Sequence, residues 1–139
     1  MLLENFKIVD SIAIEFVGAY LDLHSNFDFI NLAYNIDERV AELDWKKCSG
    51  EWAKLEQYSK LKLIFKTVEL FSVNPRDCKK PFSEDDSLSY IGYLHPEDLS
   101  MMEGFLPPEQ ADDNYHMILG FESGLAIKLY SESVLLVVE

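Results

Sequence analysis

Basic residues are scarce in this sequence: 12 of its 139 residues are Lys or Arg, against 25 Asp and Glu, which gives a formal net charge of −13. A surface of this charge repels phosphate groups, so we expect the protein to bind neither nucleic acid nor an anionic membrane. The same charge attracts positively charged proteins. The sequence therefore favours a basic protein as the partner.

Cysteine is also scarce. Cys48 and Cys78 lie in polar, loop-like surroundings and do not form the dense framework that small secreted domains use. We interpret both as free thiols, although the sequence does not say whether they approach one another. No basic segment followed by an apolar one opens the chain, and no uncharged apolar run reaches about eighteen residues. These absences predict a cytoplasmic protein.

Catalytic signatures are missing as well. The six glycines are dispersed, and the chain has neither a phosphate-binding glycine loop nor a Gly-x-Ser-x-Gly elbow. His95 and His116, with the acids near them, offer nitrogen and oxygen ligands, but without the spacing of a known metal motif. We therefore predict no catalytic residue, no cofactor and no metal site.

The composition that remains is that of one globular domain spanning residues 1–139, with 48% apolar and 13% aromatic residues. Residues 2–23 fit both helical and strand spacing, and we predict a short helix running into a strand. The stretch from Phe27 to Trp45 reads as a hairpin broken at Asp37-Glu38. Alternating Leu61, Leu63 and Phe65 predict a strand over residues 61–71.

The second half predicts further strands and one short helix. A strand is expected over 88–94, and Pro96 with Gly104 favours one or two helical turns over 95–104. Three strands over 115–121, 125–130 and 134–138, joined by tight turns, would form a meander, with Gly124 at positive φ in the first turn. The predicted fold class is α+β: a mainly antiparallel sheet with one or two short helices.

Negative charge is concentrated in the second half. Between Lys80 and Lys128 there is no Lys or Arg, while ten acids occur in the same stretch, interleaved with aromatic residues and methionines. Aromatic and Met side chains are enriched at the centres of protein interfaces. We predict that this stretch carries the protein-binding surface, with these contact residues: Glu84, Asp85, Asp86, Tyr93, Glu97, Asp98, Glu103, Asp112, Asp113 and Tyr115.

Two segments carry a resemblance to a known group of proteins. They are the run from Leu61 to Leu70, and the closing run from Leu119 to Ile127 followed by Val134-Leu-Leu. Together they resemble small acidic bacterial proteins that include immunity proteins of contact-dependent and polymorphic toxin systems. The resemblance implies a single cytoplasmic domain that neutralises a basic toxin. It supplies no functional residue, because the matching positions have the pattern of sheet core.

The leading hypothesis is thus a protein-binding module, monomeric or homodimeric, with an acidic face over residues 84–122. Its charge should make binding sensitive to salt, and charge reversal at Asp112 and Asp113 should cost more than at Asp22 and Asp28. Two alternatives stay open. One is a small-molecule or metal-dependent enzyme with a pocket closed by residues 95–116, and the other is a structural subunit that forms a homodimer through a strand edge at Val134 to Val138.

Overall fold

The computed structural model describes all residues, Met1–Glu139, and is built almost entirely from β-strands. Strands account for 52% of the chain and helical residues for 8%, and no helix reaches seven residues. The ten strands are β1 Leu2–Leu3, β2 Lys7–Val9, β3 Ala13–Phe16, β4 Ala19–Asp22, β5 Phe27–Asn35, β6 Val40–Lys47, β7 Lys60–Asn74, β8 Leu88–Leu94, β9 His116–Phe121 and β10 Ala126–Val138. Three short 3₁₀ helices complete the fold: η1 Glu51–Ala53, η2 Phe82–Asp86 and η3 Pro108–Gln110.

The predicted α+β class is therefore wrong, at two places in particular. Residues 2–23 form four short strands instead of a helix and a strand, because Asp10 and Ser11 adopt positive φ and turn the chain between β2 and β3. Residues 95–104 form irregular turns. Several main-chain carbonyls of this segment accept hydrogen bonds from a lysine side chain on β10, where a helix would pair them with its own amides.

The main sheet has the strand order β5-β6-β7-β10-β9-β8, with antiparallel pairing between each pair of neighbours. It curls into a half-barrel. Two aromatic pairs lie across the curl: the rings of Phe29 and Phe121 are 4.7 Å apart, as are those of Tyr34 and Phe71. The predicted strands at 61–71 and 88–94 and the predicted hairpin are confirmed, and β7 is longer than expected.

A second sheet, with the order β2-β3-β4, packs against the core of the half-barrel. Its buried side chains, among them Ile8, Ile14 and Leu21, join the alternating residues Leu63 and Phe65 of β7 in one hydrophobic core. The alternation read from the sequence of β7 thus places its apolar face inward, as predicted. Burial of this shared core is the main stabilising contribution to the fold.

The predicted closing meander is partly correct. Gly124 has a φ of +87° in the turn that joins β9 to β10, as its position indicated. The turn predicted at 131–133 is wrong, since β10 runs on as one strand with an irregularity between Tyr130 and Ser131. The segment Val134 to Val138 is also not a free edge, because β7 pairs with one side of it while β1 and the side chain of Asn5 bind the other.

Candidate functional site

The connection between β8 and β9, residues 95–115, lies over the outer face of the strands β8, β9 and β10. We call it the acidic loop. It returns alongside β8, where Leu106 and Tyr93 exchange two main-chain hydrogen bonds of 2.7 and 3.0 Å. The side chain of Met102 packs against a small apolar cluster formed by Leu94, Ile118 and Ala126 beneath the loop. The loop is thus held against the sheet although it has almost no regular secondary structure.

Lys128 fastens the acidic loop to β10. Its side chain is fully buried, and its Nζ donates hydrogen bonds to the main-chain oxygens of Asp98 at 2.6 Å, Met101 at 3.0 Å and Leu99 at 3.2 Å. Three acceptors match the three protons of an ammonium group. Burial lowers the pKa of Lys128, and the negative charge of Asp98 acts in the opposite direction. Lys128 is the only Lys or Arg after residue 80, and its charge is therefore buried and hydrogen-bonded to the main chain.

Two glycines let aromatic side chains lie flat beneath the loop. Tyr90 covers Gly120, where an added Cβ atom would come within 2.4 Å of the tyrosine ring. Phe105 covers Gly92 in the same way and stacks on Tyr90 with 4.9 Å between ring centroids. The main-chain amide of Gly104 donates a hydrogen bond of 3.1 Å to the Tyr90 hydroxyl. These contacts fix the position of the part of the loop around residue 104.

His116 is the first residue of β9 and directly follows the acidic loop. It is 7% exposed, its ring lies 5.4 Å from that of Tyr130, and its Nδ1 has no hydrogen-bond partner. Burial lowers the pKa of His116, and the charge of Lys128 lowers it further. His95 lies at the start of the loop, with its ring 5.0 Å from that of Tyr115. The two histidines therefore pack against aromatic rings at the base of the loop.

Five of the predicted contact residues are exposed on the acidic loop. None of their carboxylates forms a salt bridge, and Glu109 of η3 adds a sixth exposed acid. Three apolar side chains are exposed on the same loop: Leu99 by 65%, Met101 by 45% and Phe105 by 41%. The five predicted residues are Glu97, Asp98, Glu103, Asp112 and Asp113.

The other predicted contact residues lie elsewhere. Glu84, Asp85 and Asp86 belong to η2, which precedes β8, whereas the acidic loop follows it. Asp85 accepts hydrogen bonds of 2.8 and 3.1 Å from Arg76 Nε. This pairing lowers the pKa of Asp85, while burial and then the charge of Asp28 raise that of Asp86. These three acids are half-buried, in contrast to the exposed acids of the loop.

The two predicted tyrosines are only partly available to a partner. Tyr93 packs against the core, and burial raises its pKa to about 12. Tyr115 is half-buried beside His95. Sequence reasoning also missed Lys128 as the anchor of the loop. A signal for it was present, since Lys128 is the single charged residue in the apolar run Leu125-Ala-Ile-Lys-Leu-Tyr130.

The metal ligands considered for the enzymatic alternative, His95 and His116 with the acids near them, do not form a metal-binding cluster. No three side chains of His, Cys, Asp or Glu are grouped in a way that could hold a metal ion. Both cysteines are unpaired. No helix in the structure combines the length and apolarity needed to cross a membrane. Comparison with family models, with curated proteins and with solved structures gives no match to this chain.

Proposed function

We propose that this protein is a binding module whose acidic loop docks a basic protein. The observation that carries the proposal is the composition of the loop surface, where six exposed carboxylates without a salt-bridge partner lie on the same loop as exposed Leu99, Met101 and Phe105. A rim of unpaired charge around apolar side chains is the usual anatomy of a protein interface. The complementary charge of a basic partner would raise the association rate and select against acidic proteins.

The anchoring of the loop supports this function energetically. A flexible loop of this length would lose conformational entropy on binding, which weakens association. Here Lys128, the Tyr90–Phe105 stack and the two hydrogen bonds between Leu106 and Tyr93 already hold the loop in the free protein. The carboxylates are thus presented from a fixed main chain. Binding would then require ordering of side chains only.

The narrower form of the proposal is an immunity-type protein that neutralises a basic toxin. It rests on the resemblance of the two strand segments described above and on the acidic loop. A nuclease that binds nucleic acid presents a positively charged groove, and a carboxylate-rich loop has the charge to occupy such a groove. The compartment that fits this function is the cytoplasm, where the toxin would act on the host.

The test is capture of partners from the lysate of the organism that encodes the protein, at low and at high ionic strength, with identification by mass spectrometry. We expect one basic protein to be retained by the wild-type protein at low salt and released at high salt. The variant D112K/D113K should lose it. Retention that is insensitive to both salt and D112K/D113K would contradict the proposal.

The structure indicates the matched control. Asp22 is unsuitable because its carboxylate accepts main-chain hydrogen bonds from His24 and Ser25, so that its reversal would disturb the fold. Asp37 and Glu38 are exposed in the turn between β5 and β6, outside the acidic loop, and their carboxylates form no salt bridge. D37K/E38K changes the net charge by the same amount. It should retain the partner.

A further inference from the structure

A groove separates the acidic loop from the turn between β9 and β10. Its volume is about 690 Å³, and a second hollow of about 470 Å³ adjoins it and shares four of its lining residues. We call the two together the methionine groove. The volume of the larger hollow lies within the range of clefts that bind small molecules. Its principal walls are formed by Asn74, Tyr90, Met101, Met102, Glu103 and Leu125.

The chemistry of these walls is unusual for an exposed groove. Both methionines and Leu125 supply apolar surface. The unbranched Met side chain is flexible and can adjust to the shape of a bound group. Glu103 supplies the only charge among the lining residues, and its carboxylate has no salt-bridge partner. Lys128, on β10 beneath the loop, is already bound by three main-chain oxygens. The groove therefore has an unpaired negative charge on apolar walls.

From this arrangement we propose that the methionine groove receives an arginine side chain of the basic partner. The inference rests on the proposed function and names the group that the partner inserts. An arginine has a long aliphatic stem and a planar, weakly hydrated guanidinium, which suits apolar walls ending at a carboxylate. A lysine ammonium is more strongly hydrated and binds less well between apolar walls. A neutral aliphatic side chain would leave Glu103 unpaired.

One wall of the methionine groove, the Tyr90 ring, is held in place in the free protein. The Tyr90 ring is held on one side by Phe105, it covers Gly120, and its hydroxyl accepts a hydrogen bond from Gly104. Since the ring cannot rotate freely, the groove exists before the partner binds. Met101 is 45% exposed, so that its side chain is free to close over an inserted stem.

The test uses the full chain with ¹³C-labelled methionine methyl groups, observed by NMR during titration with the capped tripeptide Gly-Arg-Gly. The chain contains four methionines, and Met1 and Met117 lie outside the groove, which makes them internal controls. We expect saturable shifts of Met101 and Met102 only. The corresponding lysine peptide should shift them less at equal concentration, and the norleucine peptide should not shift them.

The matched variants are E103Q and E97Q, which each remove one exposed carboxylate of the acidic loop. E103Q should weaken binding of the arginine peptide by about twofold to fivefold, as for an exposed ion pair. E97Q should change it by less than about twofold, because Glu97 does not line the groove. Equal effects of the two variants, or equal shifts of all four methionine methyls, would overturn the inference.

These results separate the groove from the broader function. If D112K/D113K abolishes capture of a basic protein while the arginine peptide leaves Met101 and Met102 unchanged, the binding function stands and the groove inference is wrong. If the peptide binds in the groove but capture is indifferent to D112K/D113K and to salt, the groove holds arginine and the proposed function is wrong.

Discussion

The Nζ of Lys128 lies 2.6 Å from the main-chain oxygen of Asp98, yet it forms no salt bridge with that residue's carboxylate. The cation binds the backbone of the acidic loop and leaves the acids of the loop free for solvent. Lys128 thus holds the main chain of the acidic loop without forming a salt bridge to any of its carboxylates. This division of roles underlies the first prediction.

Replacing Lys128 with Met should destabilise the protein and loosen the acidic loop. The substitution keeps an apolar stem of similar length, but it removes the shared donor from three carbonyl oxygens, at a cost of about 2 kcal/mol. Urea denaturation should show this loss. Hydrogen exchange at Leu106, whose amide bonds to Tyr93, should accelerate. The control is K54M, at an exposed lysine, and equal stability of the two variants would contradict the anchoring role.

His116 should make the protein less stable at mildly acidic pH. Burial, and next the charge of Lys128, lower the pKa of His116 below its ordinary value near 6.5. An unfolded chain therefore takes up a proton near pH 6.5, while the folded protein takes it up only at lower pH. Stability is lost as the pH falls through this interval, by at most about 1.4 kcal/mol for each pH unit.

The measurement is the free energy of unfolding between about pH 7.5 and pH 5 for wild type, H116Q and H95Q. H116Q should remove the part of the acid-induced loss that comes from this group. H95Q serves as the control, because His95 is less buried and the substitution also removes one histidine. Parallel curves for wild type and H116Q would show that His116 has no such effect.

Asp85 and Asp86 should respond in opposite directions to the same substitution. At neutral pH, D85N should lower stability by about 1 kcal/mol because it loses the charged pair with Arg76. D86N should raise stability, since burial and Asp28 disfavour the charge of Asp86.

Lowering the pH should reduce both effects. The pKa of Asp85 is lowered in the folded protein. Its stabilisation is therefore present above the ordinary pKa of an aspartate, and it is lost as the pH falls on through the lower pKa of the folded protein. The penalty from Asp86, whose pKa is raised, is already relieved once the pH approaches its ordinary value near 3.8. Chemical denaturation of both variants at pH 7, near pH 4 and at about pH 2.5 checks these signs: near pH 4 the effect of D86N should already be small, while that of D85N should persist until the pH is lower still. A destabilising D86N at pH 7 would refute the assignment.

The turn between β3 and β4 should be open to a stabilising substitution. Val17 has a φ of +48° and is 87% exposed, and Gly18 follows at +80°. Two positive φ values in a two-residue hairpin turn favour Asn-Gly, whereas a β-branched residue is strained there. We expect V17N to raise the free energy of unfolding by about 1 kcal/mol. V73N, at an exposed valine within β7, should lower it, and a loss in V17N as well would show that the turn is not strained.

The alternation of apolar and polar residues predicted the structure correctly where one face of a strand is buried and the other is exposed to solvent. Leu61, Leu63 and Phe65 alternate with lysines, and the structure buries the first set while Lys62 and Lys66 pair with acids on the outer face. The prediction was wrong for residues 2–23, where the apolar residues fit both the helical and the strand periodicity. Apolar residues of 2–23 suit a helix by spacing, yet their partners in the core lie on distant strands, and those contacts select the extended form.

For the acidic residues, too, the sequence predicted one part of the arrangement and the tertiary structure decided the rest. The absence of Lys and Arg between residues 80 and 128 was visible in the sequence and placed Glu97, Glu103 and Asp112 in one region of the chain. It could not separate them from Asp85, which binds Arg76, because that ion pair depends on how the preceding loop folds back. The methionine groove was equally hidden, since its walls come from four separate segments of the chain.

The sequence by itself determined the strong negative charge, the alternating core strands and the turn at Gly124, because each follows from residue type or from spacing along a few neighbours. Only the tertiary structure decided that residues 95–104 form a loop and that Lys128 is buried beneath it. The capping potential of Pro96 favours a helix locally, but the ammonium on β10 competes for the same carbonyl oxygens. That competition exists only once distant parts of the chain have come together.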